Sequence, residues 1–248
     1  TINGHPLGDE QLARLLVALG FGRSTLTVFE HMGGPSERRL TGRAAEWGEA
    51  STEALNTIAV ACEADADARI IPAAPGRDDD VFEHDGQITK REVRAVTLAM
   101  LAPGRGECLW DIGAGSGAVA VEWLLSDPAN RAVAVEPDAA RSDRVRRNAC
   151  TGGVPDLECV TGAAPEALDE LPRPDAVFIG GGLTTPGLVT RCREALPAGG
   201  RLVANSVTVE GEAVLARAQA DWGGELTRLN VSRSAPLGGF QGWQPLRP

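Results

Sequence analysis

A short apolar run that ends beside an acid and passes straight into alternating glycines, Leu109-Trp110-Asp111-Ile112-Gly113-Ala114-Gly115-Ser116-Gly117, constrains this chain more than any other feature. Glycine adopts turn dihedrals closed to other residues and carries no side chain, so a strand entering such a turn can lay its backbone against a bound molecule. A second acid, Glu136, closes the next apolar run, Arg131-Ala132-Val133-Ala134-Val135. At the end of a neighbouring strand its carboxylate can accept hydrogen bonds from both hydroxyls of a ribose. Three glycines and two acids in this spacing read as a nucleoside-cofactor site, since a bare turn needs neither.

Gly113-x-Gly115-x-x-Ala118 also fits a dinucleotide fingerprint with alanine in the last place, and Glu136 falls near the expected spacing. Asp111 separates the two readings. Its carboxylate is expected to face the ligand, where a pyrophosphate would meet a like charge and S-adenosylmethionine would present a cationic amino group and sulfonium. Aspartate before G-x-G-x-G is the pattern of Rossmann-like methyltransferases, so S-adenosylmethionine is the preferred cofactor. Its expected contacts are Asp111, Gly113, Ala114, Gly115, Ser116, Gly117 and Glu136.

The 248 residues suffice for one large domain or two small ones, and 43% hydrophobic content supports a buried core. No apolar run approaches membrane-crossing length and no charged-then-apolar leader opens the chain, so a soluble cytoplasmic protein is expected. The missing initiator methionine points to a fragment. Five cysteines lack C-x-x-C spacing and read as reduced core residues, with Cys108 and Cys159 in apparent strands; no metal site is expected. A net charge of −10 argues against binding along nucleic acid, which needs a basic face. Lys90 is the only lysine in an arginine-rich chain.

Residues 9–19 have helical spacing and stop at Gly20; residues 26–29 and 56–62 read as strands, the second buried. The proline-rich acidic run 72–80 marks an exposed linker between residues 1–71 and 81–248. Beyond it, Thr89 with Glu92 forms a capping box for a helix burying Val93, Val96, Met100 and Leu101. Strands are expected near 107–112, 131–136, 157–160, 175–180, 200–206 and 225–233, with helices such as 118–125 and 139–149 between them. This is the rhythm of a doubly wound, mainly parallel sheet. The last strand and the glycine-rich loop at 231–243 predict a terminal antiparallel hairpin, giving an α/β Rossmann-like fold of seven strands.

The runs 82–94, 162–168, 178–182 and 232–239, together with the Asp111 loop, resemble the carbon-15 methylating and decarboxylating methyltransferases of cobalamin biosynthesis. Residues 26–38 resemble the C-terminal half of a tetrapyrrole methylase domain. The resemblance implies methylation of carbon 15 of a precorrin (precorrin-6B) from S-adenosylmethionine, with loss of carbon dioxide from the ring C acetate. It also implies a homo-oligomer, a tetramer. The first half of the N-terminal domain, with its own cofactor loop, is absent from this chain, so carbon-5 methylation is not expected of it. The same resemblance adds Thr89, Ala163 and Ala164 to the cofactor site. Thr89 can equally be a helix cap, and alanine at 163 leaves adenine to backbone groups and apolar packing.

Methyl transfer to carbon needs alignment and desolvation rather than a nucleophilic residue. Gly180, Gly181 and Gly182 either admit a flat substrate to the backbone or simply form a strand-to-helix turn. Arg233 leads the candidates for the substrate's carboxylates, followed by His84, Lys90 and Arg91, each of which can instead be an ordinary solvated side chain. Two other functions fit the cofactor loop: methylation of a protein or RNA, and a non-catalytic nucleoside-binding assembly module.

Overall fold

A computed structural model describes residues 8–48, 52–66, 68 and 74–246. The chain divides into two compact units, Thr1–Ile71 and Pro72–Pro248. In the first, helix α1 (Asp9–Ala18) precedes strands β1 (Thr25–Glu30), β2 (Arg38–Arg43) and β3 (Asn56–Ala61), which form an antiparallel sheet in the order β2-β1-β3. Ala13, Leu16, Leu26 and Ala44 make its small core. β2 is unanticipated in the sequence because its arginines break the apolar pattern. β3, expected to be buried, alternates half-buried and exposed residues, as an edge strand does. His5, to which the sequence assigns no role, lies outside the described residues, as do Pro72 and Ala73 of the expected linker.

The second unit opens with α2 (Arg91–Leu101) and β4 (Cys108–Ile112), α3 (Ala118–Ser126) and β5 (Arg131–Glu136), and α4 (Ala139–Thr151) and β6 (Glu158–Thr161). Then come β7 (Ala176–Ile179), α5 (Leu188–Ala195), β8 (Arg201–Ala204), α6 (Val209–Trp222), β9 (Ser232–Leu237) and β10 (Phe240–Pro245). β4 to β8 form one parallel sheet in the order β6-β5-β4-β7-β8. Side chains alternate between its faces: Leu109, Ala134 and Phe178 pack with α2, α3 and α4, whereas Trp110, Ile112, Val133 and Val177 pack with α5 and α6.

The expected seven-stranded sheet is corrected to five parallel strands among the described residues. Residues 225–231 form no strand, and β9 and β10 pair only with each other as the expected antiparallel hairpin. Glu225, Arg228 and Asn230 interrupt the apolar residues there, and the whole stretch is exposed apart from a half-buried Val231. No helix among the described residues is long and apolar enough to cross a membrane. Among the cysteines, Cys62 and Cys150 are exposed rather than core residues; Cys108 and Cys192 are buried.

Two expectations near residue 90 also change. The cap of α2 is Lys90, with no side-chain capping bond, so Thr89 and Glu92 form no capping box. The buried stripe of α2 is Arg94, Thr97, Leu98 and Leu101, while Met100 is exposed. The stripe is centred on an arginine, a residue rarely found inside. Arg94 is fully buried, its Nε donating to Glu122 Oε1 at 2.8 Å and a terminal nitrogen pairing with Asp79 at 3.1 Å. It also donates to the carbonyls of Thr89 and Arg77. Glu122 accepts from the backbone N–H groups of Gly76 (2.7 Å) and Arg77 (3.0 Å). The expected exposed linker is therefore bound into the second unit from Gly76 onward.

Removing one partner of such a pair strands a buried charge, so Arg94→Met is expected to cost about 3–5 kcal/mol in urea unfolding. An apolar double replacement, Arg94→Met with Glu122→Leu, should not recover it, because the Gly76 and Arg77 N–H groups stay unsatisfied. Full recovery would show that those backbone bonds contribute little.

Candidate functional site

A cavity of about 510 Å³ opens at the carboxyl ends of the parallel strands, within the range typical of small-molecule sites. The chain reverses winding direction between β4 and β7, the switch point where open α/β sheets bind ligands. The strand ends are tied together by backbone bonds. Gly113 and Ala114 donate to Val135 O at 2.8 and 3.2 Å, Gly180 and Gly181 to Ile112 O at 2.9 and 3.2 Å, and Gly162 to Glu136 O at 3.1 Å.

Of the predicted loop, Gly113, Ala114 and Gly115 line the cavity. Gly113 has φ +67°, and a Cβ there would lie 2.6 Å from Gly181 Cα, so the two loops meet backbone to backbone. Ser116 and Gly117 turn away from it. Ser116 is buried with its carbonyl taking a 2.8 Å bond from Asn148, and Gly117 begins α3 against Val145. Glu136 is buried on the cavity wall, its Oε2 accepting from Gly115 N at 2.9 Å and its Oε1 from Asp138 N at 3.2 Å. A carboxylate oxygen has two lone pairs, so each retains capacity for a ligand hydroxyl.

Asp111 does not face the cavity as expected. Strand alternation places it on the opposite face from Trp110 and Ile112, beneath the first turn of α3, where Oδ2 accepts from Ala120 N at 3.1 Å. Oδ1 is buried without a hydrogen-bond partner. Burial is the main force pushing its pKa up to about 7; the Ala120 bond opposes it and the neighbouring Glu136 charge adds to it.

Thr89, Lys90, Ala163, Ala164 and the three glycines at 180–182 all line the cavity. Thr89 stands one residue before the cap of α2, which is Lys90. His84 and Arg233 are not on the wall. His84 Nδ1 accepts from Gly86 N at 3.1 Å, and Arg233 pairs with Glu92 at 2.7 Å on an exposed surface. Arg91 is taken up by Asp78. The sequence reading missed Gln87, Arg141 and the stretch Asn205, Ser206 and Val207 beyond β8. Extending that strand to residue 206 concealed them; a strand ending at Ala204 places the next three residues at the sheet's ligand-binding edge.

The parallel sheet, the glycine turn after its central strand and the acid after the next define a Rossmann-like methyltransferase. The model of the precorrin methyltransferase domain matches residues 80–248, and the chain belongs to that family. A Sinorhizobium relative named precorrin-6Y C(5,15)-methyltransferase [decarboxylating] is 51% identical over 248 residues, all of this chain and 60% of the relative, so the chain spans about three fifths of that protein. A Pyrobaculum calidifontis relative named probable cobalt-precorrin-6B C(15)-methyltransferase (decarboxylating) is 37% identical over 71% of this chain and 93% of its own length. Among solved structures, the C-terminal domain of precorrin-6Y C5,15-methyltransferase from Rhodobacter capsulatus is 48% identical, with TM-score 0.66, covering 70% of this chain and 94% of that one.

Gly113→Ala and Gly153→Ala separate close approach from backbone strain, since Gly153 has φ +81° with nothing within 4 Å of a built Cβ. The left-handed conformation alone costs about 1–2 kcal/mol. Gly153→Ala should lose that much in thermal or urea unfolding and Gly113→Ala clearly more; equal losses would deny the Gly113–Gly181 contact its importance.

A second expectation follows from the raised pKa of Asp111. Below pH 4 both folded and unfolded chains hold its proton and its contribution is fully present. Between pH 4 and 7 the unfolded chain releases the proton first, so stability falls, levelling above the folded pKa. Against Asp111→Asn, which cannot titrate, the wild-type chain should lose up to about 4 kcal/mol of relative stability from pH 4 to pH 8. A constant difference between the two urea curves would contradict the shift.

Proposed function

We propose that this chain methylates carbon 15 of a precorrin from S-adenosylmethionine and releases the ring C acetate carboxyl as carbon dioxide. The observation that carries this reading is coincidence: residues 80–248, matched as a precorrin methyltransferase domain, are those that build the strand-end cavity. The Pyrobaculum relative, named for the carbon-15 step, is matched over nearly its whole length.

The residues present suit the cofactor. Gly113 and Gly115 offer a backbone surface free of side chains, and Glu136 has acceptor capacity left for a vicinal diol. Gly162 to Ala164 leave adenine to backbone and apolar contacts. Bound there, S-adenosylmethionine supplies a methyl group already activated on sulfonium. The chain's own part is to hold the acceptor carbon in line and exclude water, with Gly180 to Gly182 admitting the macrocycle close to the backbone. Decarboxylation breaks the bond from the acetate methylene to its carboxyl carbon and leaves the electron pair to the conjugated ring; a proton taken up from solvent at the methylene then completes a methyl group, and a water-poor wall favours the loss of the carboxylate charge.

The reading extends to the rest of the molecule. Residues 1–71 are taken as the second half of a tetrapyrrole methylase domain, and carbon-5 methylation is not assigned to this chain. A homo-oligomer, a tetramer, is supported by Leu237, Phe240 and Trp243, apolar side chains exposed on the hairpin. The partner is a small tetrapyrrole rather than nucleic acid or membrane, and the compartment is the cytoplasm.

The test is incubation with S-adenosylmethionine and precorrin-6B, following product mass and carbon dioxide. One methyl gained with one carbon dioxide lost is the expected result. Two methyls gained would return carbon-5 methylation to this chain. No reaction, with the cofactor bound, would overturn the acceptor.

A further inference from the structure

Most charged side chains around the cavity have an ion-pair partner within the protein. Arg94 holds Glu122, Arg141 and Arg144 both lie 3.0 Å from Asp85, Arg147 lies 2.7 Å from Glu83, and Arg233 lies 2.7 Å from Glu92. Lys90 is the exception: among the described residues no carboxylate pairs with it, although acids outnumber bases by 34 to 24 in the chain. Its side chain is half-buried on the cavity wall. Only Lys90 and Arg141 bring positive charge to that wall among the described residues, and Arg141 is held by Asp85, which it shares with Arg144.

Its position is also fixed. The carbonyl of Thr89 accepts from the buried Arg94 guanidinium, and the Lys90 carbonyl accepts from Arg94 N at 2.7 Å as the first backbone bond of α2, so the backbone on both sides is held. In a chain that otherwise uses arginine for every base, the sole lysine stands here. An ammonium is a compact, rotatable point charge, whereas a guanidinium is a wide planar fork, so a confined single carboxylate suits lysine.

We infer that Lys90 is a carboxylate-binding residue of this cavity, its ammonium left unpaired by the protein for a carboxylate of the bound ligands. This rests on the methyltransferase reading above, which offers two sources: the amino-acid end of the cofactor and the acid side chains of the tetrapyrrole.

The experiment compares the unsubstituted chain with Lys90→Gln. S-adenosylhomocysteine and its analogue lacking the carboxyl group are titrated into each by calorimetry, and KM and kcat are measured with precorrin-6B. Loss of a charged hydrogen bond corresponds to about a tenfold to hundredfold weakening. If the cofactor's carboxylate is the partner, Lys90→Gln binds S-adenosylhomocysteine weaker by that factor and the decarboxylated analogue as tightly as the unsubstituted chain does. If the tetrapyrrole is the partner, both cofactor analogues bind unchanged and KM rises by that factor while kcat holds. Unchanged affinity together with unchanged KM overturns the role of Lys90, as does equal weakening of both cofactor analogues. No binding of S-adenosylhomocysteine by the unsubstituted chain overturns the cofactor reading itself, a separate result.

Discussion

The buried pair between Arg94 on α2 and Glu122 on α3 is the contact on which the cavity depends. Desolvating two charges is costly, and their attraction compensates only when the remaining hydrogen-bonding capacity is also used. Here it is. Glu122 takes two backbone N–H groups from Gly76 and Arg77, and Arg94 gives to two carbonyls and to Asp79. The segment from 76 to 90 contributes few buried apolar groups of its own, chiefly Phe82 and Ile88. Its course is therefore set mainly by polar bonds to three helices, since Glu83 and Asp85 also bond to Asn148, Arg147, Arg144 and Arg141 of α4, and it becomes the wall that carries Gln87, Thr89 and Lys90.

The opposite walls are set by a different constraint, the distance between neighbouring parallel strands. The loops leaving β4 and β7 touch at Gly113 and Gly181, an approach that a Cβ on Gly113, 2.6 Å from Gly181 Cα, would forbid. The glycine runs after both strands are therefore one feature. Gly180 to Gly182 form a turn that packs on the loop after β4 and lines the cavity at the same time.

Much of this was legible in the residues. The central strands and the helices after β4 and β5 follow from apolar periodicity bounded by glycine and aspartate, and the cavity's glycines and Glu136 follow from their places at strand ends. What escaped has physical causes. Arg94 in a helix interior reverses the usual meaning of charge, so the buried stripe of α2 shifted and residues 74–80 looked like free linker. Asp111 was assigned to the ligand by motif, although period-two alternation with Trp110 and Ile112 already turns it toward α3. Arg233 and His84 were chosen for their chemistry alone; their partners, Glu92 and the Gly86 N–H, are tertiary or turn contacts that no spacing rule supplies.

The cavity's composition limits how the proposed reaction can be accelerated. Among the described residues its wall has no cysteine or histidine, and its one acid, Glu136, is hydrogen-bonded to backbone N–H groups through both oxygens, with its remaining capacity assigned above to the cofactor's diol. General acid–base help from such a wall is small, so rate must come from alignment and from exclusion of water. Alignment requires walls that do not shift. Strand ends tied by backbone bonds, two loops in glycine contact and a third wall fixed by a buried ion pair meet that requirement without placing a reactive side chain beside the proposed substrate. In the proposed reaction the chemistry resides in the ligands, and the protein's contribution is the rigidity with which it brings them together.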